Sequence, residues 1–340
     1  EALTAALDEA VRAVDAPDVV VAYARGGRRT VRSGGTAPPP PVPRELLRYE
    51  TGSASKPYTG LLLARLLADG TVGGNDPAAA YLAPGGRTGP RDVTLTHLVT
   101  HTSGLPPLPA DFYPGALRRW RDNPYAHYGP ERVVRAFLRA GPRHRPGTRW
   151  RYSNFGAAVL GHALAAAADT AWEHLLTDRV LRPLGLAGTA LAPEPDAPTG
   201  TCDATGHRAD GVTPVPALEI GGFQAAGAVR ATPGDLLRFV EAHLRPEGSP
   251  LEEALLAVRR PVLRRGRGHR DVHSLTWFRH GSDRGPVFFH AGATSGQQVF
   301  LGFAPGTGTA LAAACTRRFR RQDTFVATAY GLLCDPPDED

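Results

Sequence analysis

The tetrapeptide Ser53-Ala54-Ser55-Lys56 holds the only lysine of this chain; the other 38 of its 39 basic residues are arginine. The distinction is chemical. An arginine stays protonated at any pH a folded protein survives, whereas a lysine ammonium in a dry pocket can lose its proton and serve as a base. A composition heavy in Ala, Arg, Gly and Pro accounts for scarce lysine through GC-rich coding alone, so Ser-x-x-Lys gains meaning only with partners elsewhere in the chain.

The flanking residues place the motif. Tyr49-Glu50-Thr51-Gly52 leads into it, and from Ser53 onward Tyr58, Leu61, Leu62, Ala64, Leu66 and Leu67 predict a strongly apolar helix that stops at Gly70. Pro57 falls in the opening turns, where the amide it lacks would otherwise bond the Ser53 carbonyl. Ser53 therefore sits at a helix N-terminus with Lys56 one turn later on the same face, close enough to touch. A serine hydroxyl is a weak nucleophile until a base takes its proton, and acyl transfer also needs N–H donors for the developing oxyanion. Lys56 is a candidate base, and a helix N-terminus supplies one donor with a favourable dipole.

Upstream, residues 4–14 read as an amphipathic helix with Leu7, Val11 and Val14 on one face. Residues 19–24 form an apolar strand, Gly26-Gly27 a turn, and residues 30–32 a return strand. The Pro38 to Pro43 run is a stiff connector. Between about 75 and 215, helical patterns at 95–100, 130–140, 155–168 and 171–180 alternate with Pro/Gly-rich loops. A further helix follows at 232–244, then four short strands at 274–279, 287–290, 299–303 and 309–315, and a closing helix at 321–333. The order predicts an α/β (α+β) fold in which both chain ends build one antiparallel sheet flanked by helices. Its expected units are 1–74 with 216–340 as the sheet domain and 75–215 as a helical insert, with the active site between them.

Composition excludes several classes. The net charge is +6, and the arginine clusters at 118–121, 143–151, 259–270 and 317–321 lack the aromatic interleaving of a nucleic-acid module, so they read as solvated surface. Cys202, Cys315 and Cys334 are odd in number and widely spaced, which indicates neither a disulfide framework nor a zinc site. No apolar run approaches the roughly 18 residues of a membrane span. The chain has no methionine, not even an initiator, which predicts a processed or trimmed N-terminus. No export signal is visible, so a cytoplasmic location is expected ahead of a secreted one. No metal or other cofactor is expected: His97 and His101 are four apart but no third ligand follows, and they read as structural, with Gly104 ending their helix.

Two motifs downstream supply the missing partners. Tyr152-Ser153-Asn154 lies between the Pro146-Gly147 turn and a helix; a phenolate there could accept a proton, and the Asn154 amide could hold both Lys56 and a substrate carbonyl. His290-Ala291-Gly292 ends a strand and opens Ala293-Thr294-Ser295-Gly296, where an edge could present a second oxyanion N–H.

The set Ser53-x-x-Lys56, Tyr152-x-Asn154 and His290-x-Gly292 resembles the serine β-lactamase and penicillin-binding-protein superfamily. It is most similar to the branch holding class C β-lactamases, DD-peptidases, family VIII esterases and related transacylases. Connecting text is similar too: Asn75-Asp76-Pro77 with Tyr81-Leu82, Leu95-Thr96-His97-Leu98 through Ser103-Gly104-Leu105-Pro106, Pro183-Leu184-Gly185-Leu186, and Gly221-Gly222-Phe223. The likeness covers about residues 15 to 335. It implies a β-lactamase/transpeptidase-like fold and an acyl-serine enzyme with Ser53 as nucleophile and Lys56 and Tyr152 as a coupled base system. Asn154 would be an orienting amide, and the N–H groups of Ser53 and Ala293 an oxyanion hole beside His290 and Gly292. Which of Lys56 and Tyr152 takes the first proton is left open.

One departure is informative. β-Lactamases and DD-peptidases of this branch usually carry Lys-Thr-Gly where this chain has His290-Ala291-Gly292, and a histidine there is common among esterase-like and transferase-like relatives. The expected function is therefore cleavage or transfer of an ester or amide acyl group of a small molecule, by an esterase or an ATP-independent biosynthetic transacylase. The alternatives are a β-lactamase or D-Ala-D-Ala carboxypeptidase, and a non-catalytic penicillin-binding-like sensor. The expected partners are a small-molecule acyl donor and an amine or alcohol acceptor, with no nucleic acid and no membrane, for a monomer or weak homo-oligomer. Tyr113 and Trp120 in the aromatic stretch 111–120, together with Phe223, are the expected substrate contacts.

Overall fold

The computed structural model describes residues 2–86, 89–120, 122–194, 202–269 and 271–337. Arg121 and Arg270, members of two arginine clusters, lie outside these. After helix α1 (Ala2–Arg12) the chain forms β1 (Val19–Arg25) and β2 (Arg28–Gly34). A three-stranded sheet is made of β3 (Tyr49–Glu50), β4 (Thr189–Ala190) and β5 (Arg230–Ala231), with β5 in the middle. Then come β6 (Leu263–Arg265), β7 (Asp271–His273), β8 (Phe278–Ser282), β9 (Gly285–Ala293), β10 (Gln298–Ala304) and β11 (Thr309–Cys315). The main sheet has the order β2-β1-β11-β10-β9-β8-β7-β6, every neighbouring pair antiparallel. Both ends of the chain meet in it.

The central strands are apolar on both faces because both faces are covered. Val20, Ala22 and Ala24 of β1 belong to the larger core, whereas Val19, Val21 and Tyr23 pack with Leu7 and Val11 of α1 and with Phe325, Ala329 and Leu333 of the closing helix Phe325–Cys334. This is helix on sheet on helix, the arrangement that hides a sheet without an alternating polar face. Val14 lies past the end of α1 yet is still buried. On the larger-core side stands α2 (Lys56–Ala68), buried around nearly its whole circumference, and beside it α3 (Asn154–Ala167). Helices apolar on all sides belong to the interior.

Among the described residues, the second half of the chain supplies six strands to the main sheet, two more than its pattern predicts. The expected strand at 274–279 straddles a reversal: Thr276 has φ 80°, and the Ser274 N–H donates to the Trp277 carbonyl at 3.0 Å, closing a tight turn between β7 and β8. Buried Leu275 and Trp277 inside that turn mimic a strand pattern. The arginines of β6 conceal the other strand. The helix at Leu95–Val99 ends at Val99, and the reversal is made by His101 (φ 57°) rather than by Gly104. The last arginine cluster is not plain surface either, since Arg317 is buried and pairs with Asp323 at 2.6 Å.

Candidate active site

Ser53 lies in a single 3₁₀ turn, Gly52–Ser55, that runs directly into α2. The cause is local. Pro57 has no N–H to give the Ser53 carbonyl, so the Lys56 N–H takes it in a tighter i→i+3 bond. This carries Lys56 back under Ser53, with Nζ 3.2 Å from the Ser53 Oγ.

Lys56 is 1% exposed and, among the described residues, has no carboxylate partner. Its Nζ also donates to the Asn154 Oδ1 at 2.8 Å and to the Ala226 carbonyl at 3.0 Å. Burial disfavours the charged form and brings its pKa down to about 7. A neutral amine has two hydrogens and one lone pair; Asn154 and Ala226 accept the hydrogens, which leaves the lone pair facing the Ser53 hydroxyl.

Tyr152 and Asn154 arrive together because Ser153 caps α3. The Ser153 Oγ accepts from the Gly156 N–H at 2.8 Å and donates to the Pro106 carbonyl at 2.7 Å, fixing the helix start against the 102–107 loop. Tyr152, just outside the helix, donates its phenol to the Ser53 Oγ at 2.7 Å. Burial raises its pKa to about 12, partly offset by that hydrogen bond. The His101 ring packs 4.6 Å from the Tyr152 ring, and its Nδ1 accepts from the Ser153 N–H at 3.2 Å. Burial holds this imidazole neutral, its pKa well below the usual value.

Asn154 turns its other end to Tyr125, donating from Nδ2 to the phenol oxygen at 3.3 Å. Tyr125 thus fixes which way the amide points. Its sequence neighbourhood gives no sign of this contact, which only the fold creates.

The strand end completes the site. β8 pairs with β9 no further than Phe289, so His290 to Ala293 present a free edge toward the Ser53 turn. Two glycines permit the approach. A Cβ on Gly292 would lie 1.9 Å from the Thr51 carbonyl oxygen and 2.9 Å from the Ser53 nitrogen. One on Gly52, where φ is +50°, would lie 2.5 Å from the Ala293 oxygen and 3.0 Å from its nitrogen. Ser53 and Ala293 both line one cleft of about 230 Å³.

Leu108, Phe112, Trp120, Tyr125, Ile220 and Phe223 form the apolar wall of that cleft, and Asn154, Thr294, Ser295 and Arg318 its polar part. Phe223 is fully buried behind the surface, with its ring 5.0 Å from Tyr125 and 5.7 Å from Phe112. Two expected residues are placed differently. Tyr113 does not line the cleft but stacks outside Trp120 at 6.5 Å. His290 is 2% exposed, stands apart from the cleft lining, and donates from Nδ1 to the Ala291 carbonyl at 2.9 Å. Burial, reinforced by Lys56, brings its pKa down to about 3, so it offers a substrate no cation.

The Beta-lactamase family model matches residues 3–333. The chain belongs to the β-lactamase family. Among relatives of this β-lactamase-family protein, the D-alanyl-D-alanine-carboxypeptidase/endopeptidase AmpH of Escherichia coli (strain K12) is 31% identical over 234 residues, 64% of this chain and 55% of AmpH. The chain thus spans only a little over half the length of that relative. A β-lactamase/D-alanine carboxypeptidase from Pseudomonas syringae superposes with a TM-score of 0.83 over 99% of each chain at 19% identity. A D-stereospecific amidohydrolase from Streptomyces sp. gives 0.77, covering 97% of this chain and 98% of its own at 22% identity. At such identities the structures establish the shared fold. Among the described residues no helix is long and apolar enough to cross a membrane.

Proposed function

We propose that the protein is an acyl-serine enzyme that cleaves or transfers an ester or amide acyl group of a small molecule, with its cleft between the 1–74/216–340 sheet unit and the 75–215 helical unit. The observation that carries this reading is the Ser53 Oγ, held at once by the buried Lys56 amine at 3.2 Å and the Tyr152 phenol at 2.7 Å. Near neutral pH, Lys56 in its amine form takes the Ser53 proton as Oγ attacks the acyl carbon. The negative charge on the carbonyl oxygen is met by the N–H groups of Ser53 and Ala293. Tyr152, still protonated, passes its proton to the departing alcohol or amine and is reprotonated from the Lys56 ammonium, leaving acyl-Ser53 and a neutral Lys56. Water, or an amine or alcohol acceptor, then enters by the same route in reverse.

The apolar wall of Phe112, Trp120, Tyr125 and Phe223 favours an esterase or transacylase with a hydrophobic acyl group. A second reading, D-Ala-D-Ala carboxypeptidase, has two observations in its favour: the likeness to AmpH and the Arg318 guanidinium at the cleft, a partner for a terminal carboxylate.

The test is intact-mass analysis after exposure to p-nitrophenyl acetate, a penicillin and a fluorophosphonate, wild type against Ser53→Ala. A serine adduct in the wild type alone is the expected result; no adduct with any probe would sink the proposal. Faster decay of the adduct with added amines, and amide product, distinguishes transfer from hydrolysis.

A further inference from the structure

Glu50 stands three residues before Ser53, is 5% exposed, and has no part in the chemistry described above. Its contacts are specific. One carboxylate oxygen accepts the Thr294 hydroxyl at 2.7 Å, and the other accepts the Leu218 N–H at 2.7 Å. Its own N–H donates to the Gln297 Oε1 at 2.9 Å. Thr294 follows Ala293 directly, and its N–H bonds the Gln297 carbonyl at 2.9 Å across the β9–β10 turn. Glu50 therefore grips that turn twice, by side chain at its first residue and by backbone at its last.

The counter-charge is built in. Arg230, the cross-strand partner of Glu50, lies 3.9 Å from the carboxylate and donates to the Leu218 carbonyl at 2.9 Å. Glu50 and Arg230 thus hold the two polar ends of Leu218, a residue of the cleft wall. A buried ion pair of this kind adds little net stability, because desolvating both charges offsets their attraction. Uniqueness of geometry is the better account of its presence. Burial pushes the Glu50 carboxyl upward in pKa, opposed by the Thr294 and Leu218 hydrogen bonds and by Arg230.

Resting on the acyl-serine reading, we propose that Glu50 is a positioning residue that sets the separation of the two oxyanion donors, the N–H groups of Ser53 and Ala293. It does so by tying β3, which leads into the Ser53 turn, to the end of β9, which carries Ala293, and it seats the Leu218 wall in the same act. A displacement of a few tenths of an ångström there weakens hydrogen bonds that matter only as charge develops on the substrate oxygen. The signature is a fall in acylation rate without a matching change in substrate binding.

The experiment uses the whole chain and p-nitrophenyl acetate, with wild type, Thr294→Val, Thr294→Ser, Glu50→Gln and the Thr294→Val/Glu50→Gln double variant. Thr294→Val should lower kcat about tenfold or more, less than the roughly hundred- to thousandfold cost of deleting an oxyanion donor outright, with KM and Tm nearly unmoved. Thr294→Ser, which keeps the hydroxyl, should recover most of the rate. Glu50→Gln keeps shape and volume; it should lower kcat in the same manner, and the double variant should be no slower than the slower single variant, since both cut one link. An unchanged kcat in Thr294→Val, a change confined to KM, or losses that multiply in the double variant would each overturn the proposal. A wild type that forms no Ser53 adduct overturns the acyl-serine reading and this inference with it, whereas an active wild type with unaffected variants overturns this inference alone.

Discussion

The Tyr152 phenol donates to the Ser53 Oγ across 2.7 Å, although 99 residues separate the two in sequence. Lys56 reaches the same oxygen from one turn away. If Lys56 takes the proton, its replacement by Arg keeps the charge and removes the base, because a guanidinium does not deprotonate in this range. Lys56→Arg should slow Ser53 acylation by about 10²- to 10⁴-fold, read as the pre-steady-state burst with p-nitrophenyl acetate. Tyr152→Phe should leave acylation measurable but slow most for substrates with poor leaving groups.

The pH profile tests the same assignment. The acylation rate should rise with unit slope to a plateau above about pH 7, as Lys56 loses its proton, and stay level until Tyr152 ionises near 12. Stability follows from the same shift. Between about 7 and 10.5 the unfolded chain carries a proton on Lys56 that the folded chain does not, so unfolding free energy rises with pH across that window. Below it both states are protonated and the full burial penalty is present. Lys56→Met should therefore be stabilised relative to wild type most strongly at pH 6, with the difference shrinking toward pH 10 in denaturant melts.

Gly292 has no room for a side chain. A Cβ 1.9 Å from the Thr51 carbonyl oxygen meets backbone, which cannot rotate aside. Gly292→Ala should push β9 off the Ser53 turn, lowering stability by about 1 to 3 kcal/mol and abolishing labelling by a fluorophosphonate even where the variant is folded. Labelling at the wild-type rate would refute the close approach.

The aromatic wall divides by burial. Trp120 is 47% exposed at the rim and Phe223 is fully buried. Trp120→Ala should raise KM for long-chain p-nitrophenyl esters while leaving the acetate ester and Tm almost unchanged. Phe223→Ala opens a cavity among Phe112, Tyr125 and Tyr128 and should destabilise by about 3 to 5 kcal/mol, visible in thermal melts.

Arg318 separates the two functional readings. Its removal by Arg318→Ala should weaken reaction with a penicillin or a D-Ala-D-Ala peptide at least tenfold and leave neutral esters unaffected, seen in kcat/KM. Equal effects on both substrate classes would show that the guanidinium does not recognise the carboxylate.

Legibility in the sequence tracks locality. Ser53 and Lys56 are three residues apart on one turn, so their contact follows from helical geometry and Pro57. β1, β10 and β11 show themselves as almost wholly apolar runs, and the predicted limits of β11 match the observed strand at both ends. The 274–277 turn did not, because two buried apolar side chains inside a reversal look like a strand until Thr276 adopts φ 80°. The 3₁₀ form of the Ser53 turn was not foreseen, although Pro57, which offers the Ser53 carbonyl no N–H, already implies it.

By itself the sequence determined which groups exist and in what order: a lone lysine behind a serine, a Tyr-x-Asn before a helix, and a glycine at a strand end. Their family resemblance implied the fold and the Ser53, Lys56 and Tyr152 constellation. The tertiary structure decided everything that depends on burial and on contacts distant along the chain: a Lys56 pKa brought down to about 7, His290 sealed away from the cleft, Tyr125 turning Asn154, and Glu50 gripping the β9–β10 turn. The physical reason is that protonation and hydrogen-bond direction are set by the dielectric and the partners around a group, and those are supplied by residues tens to hundreds of positions away.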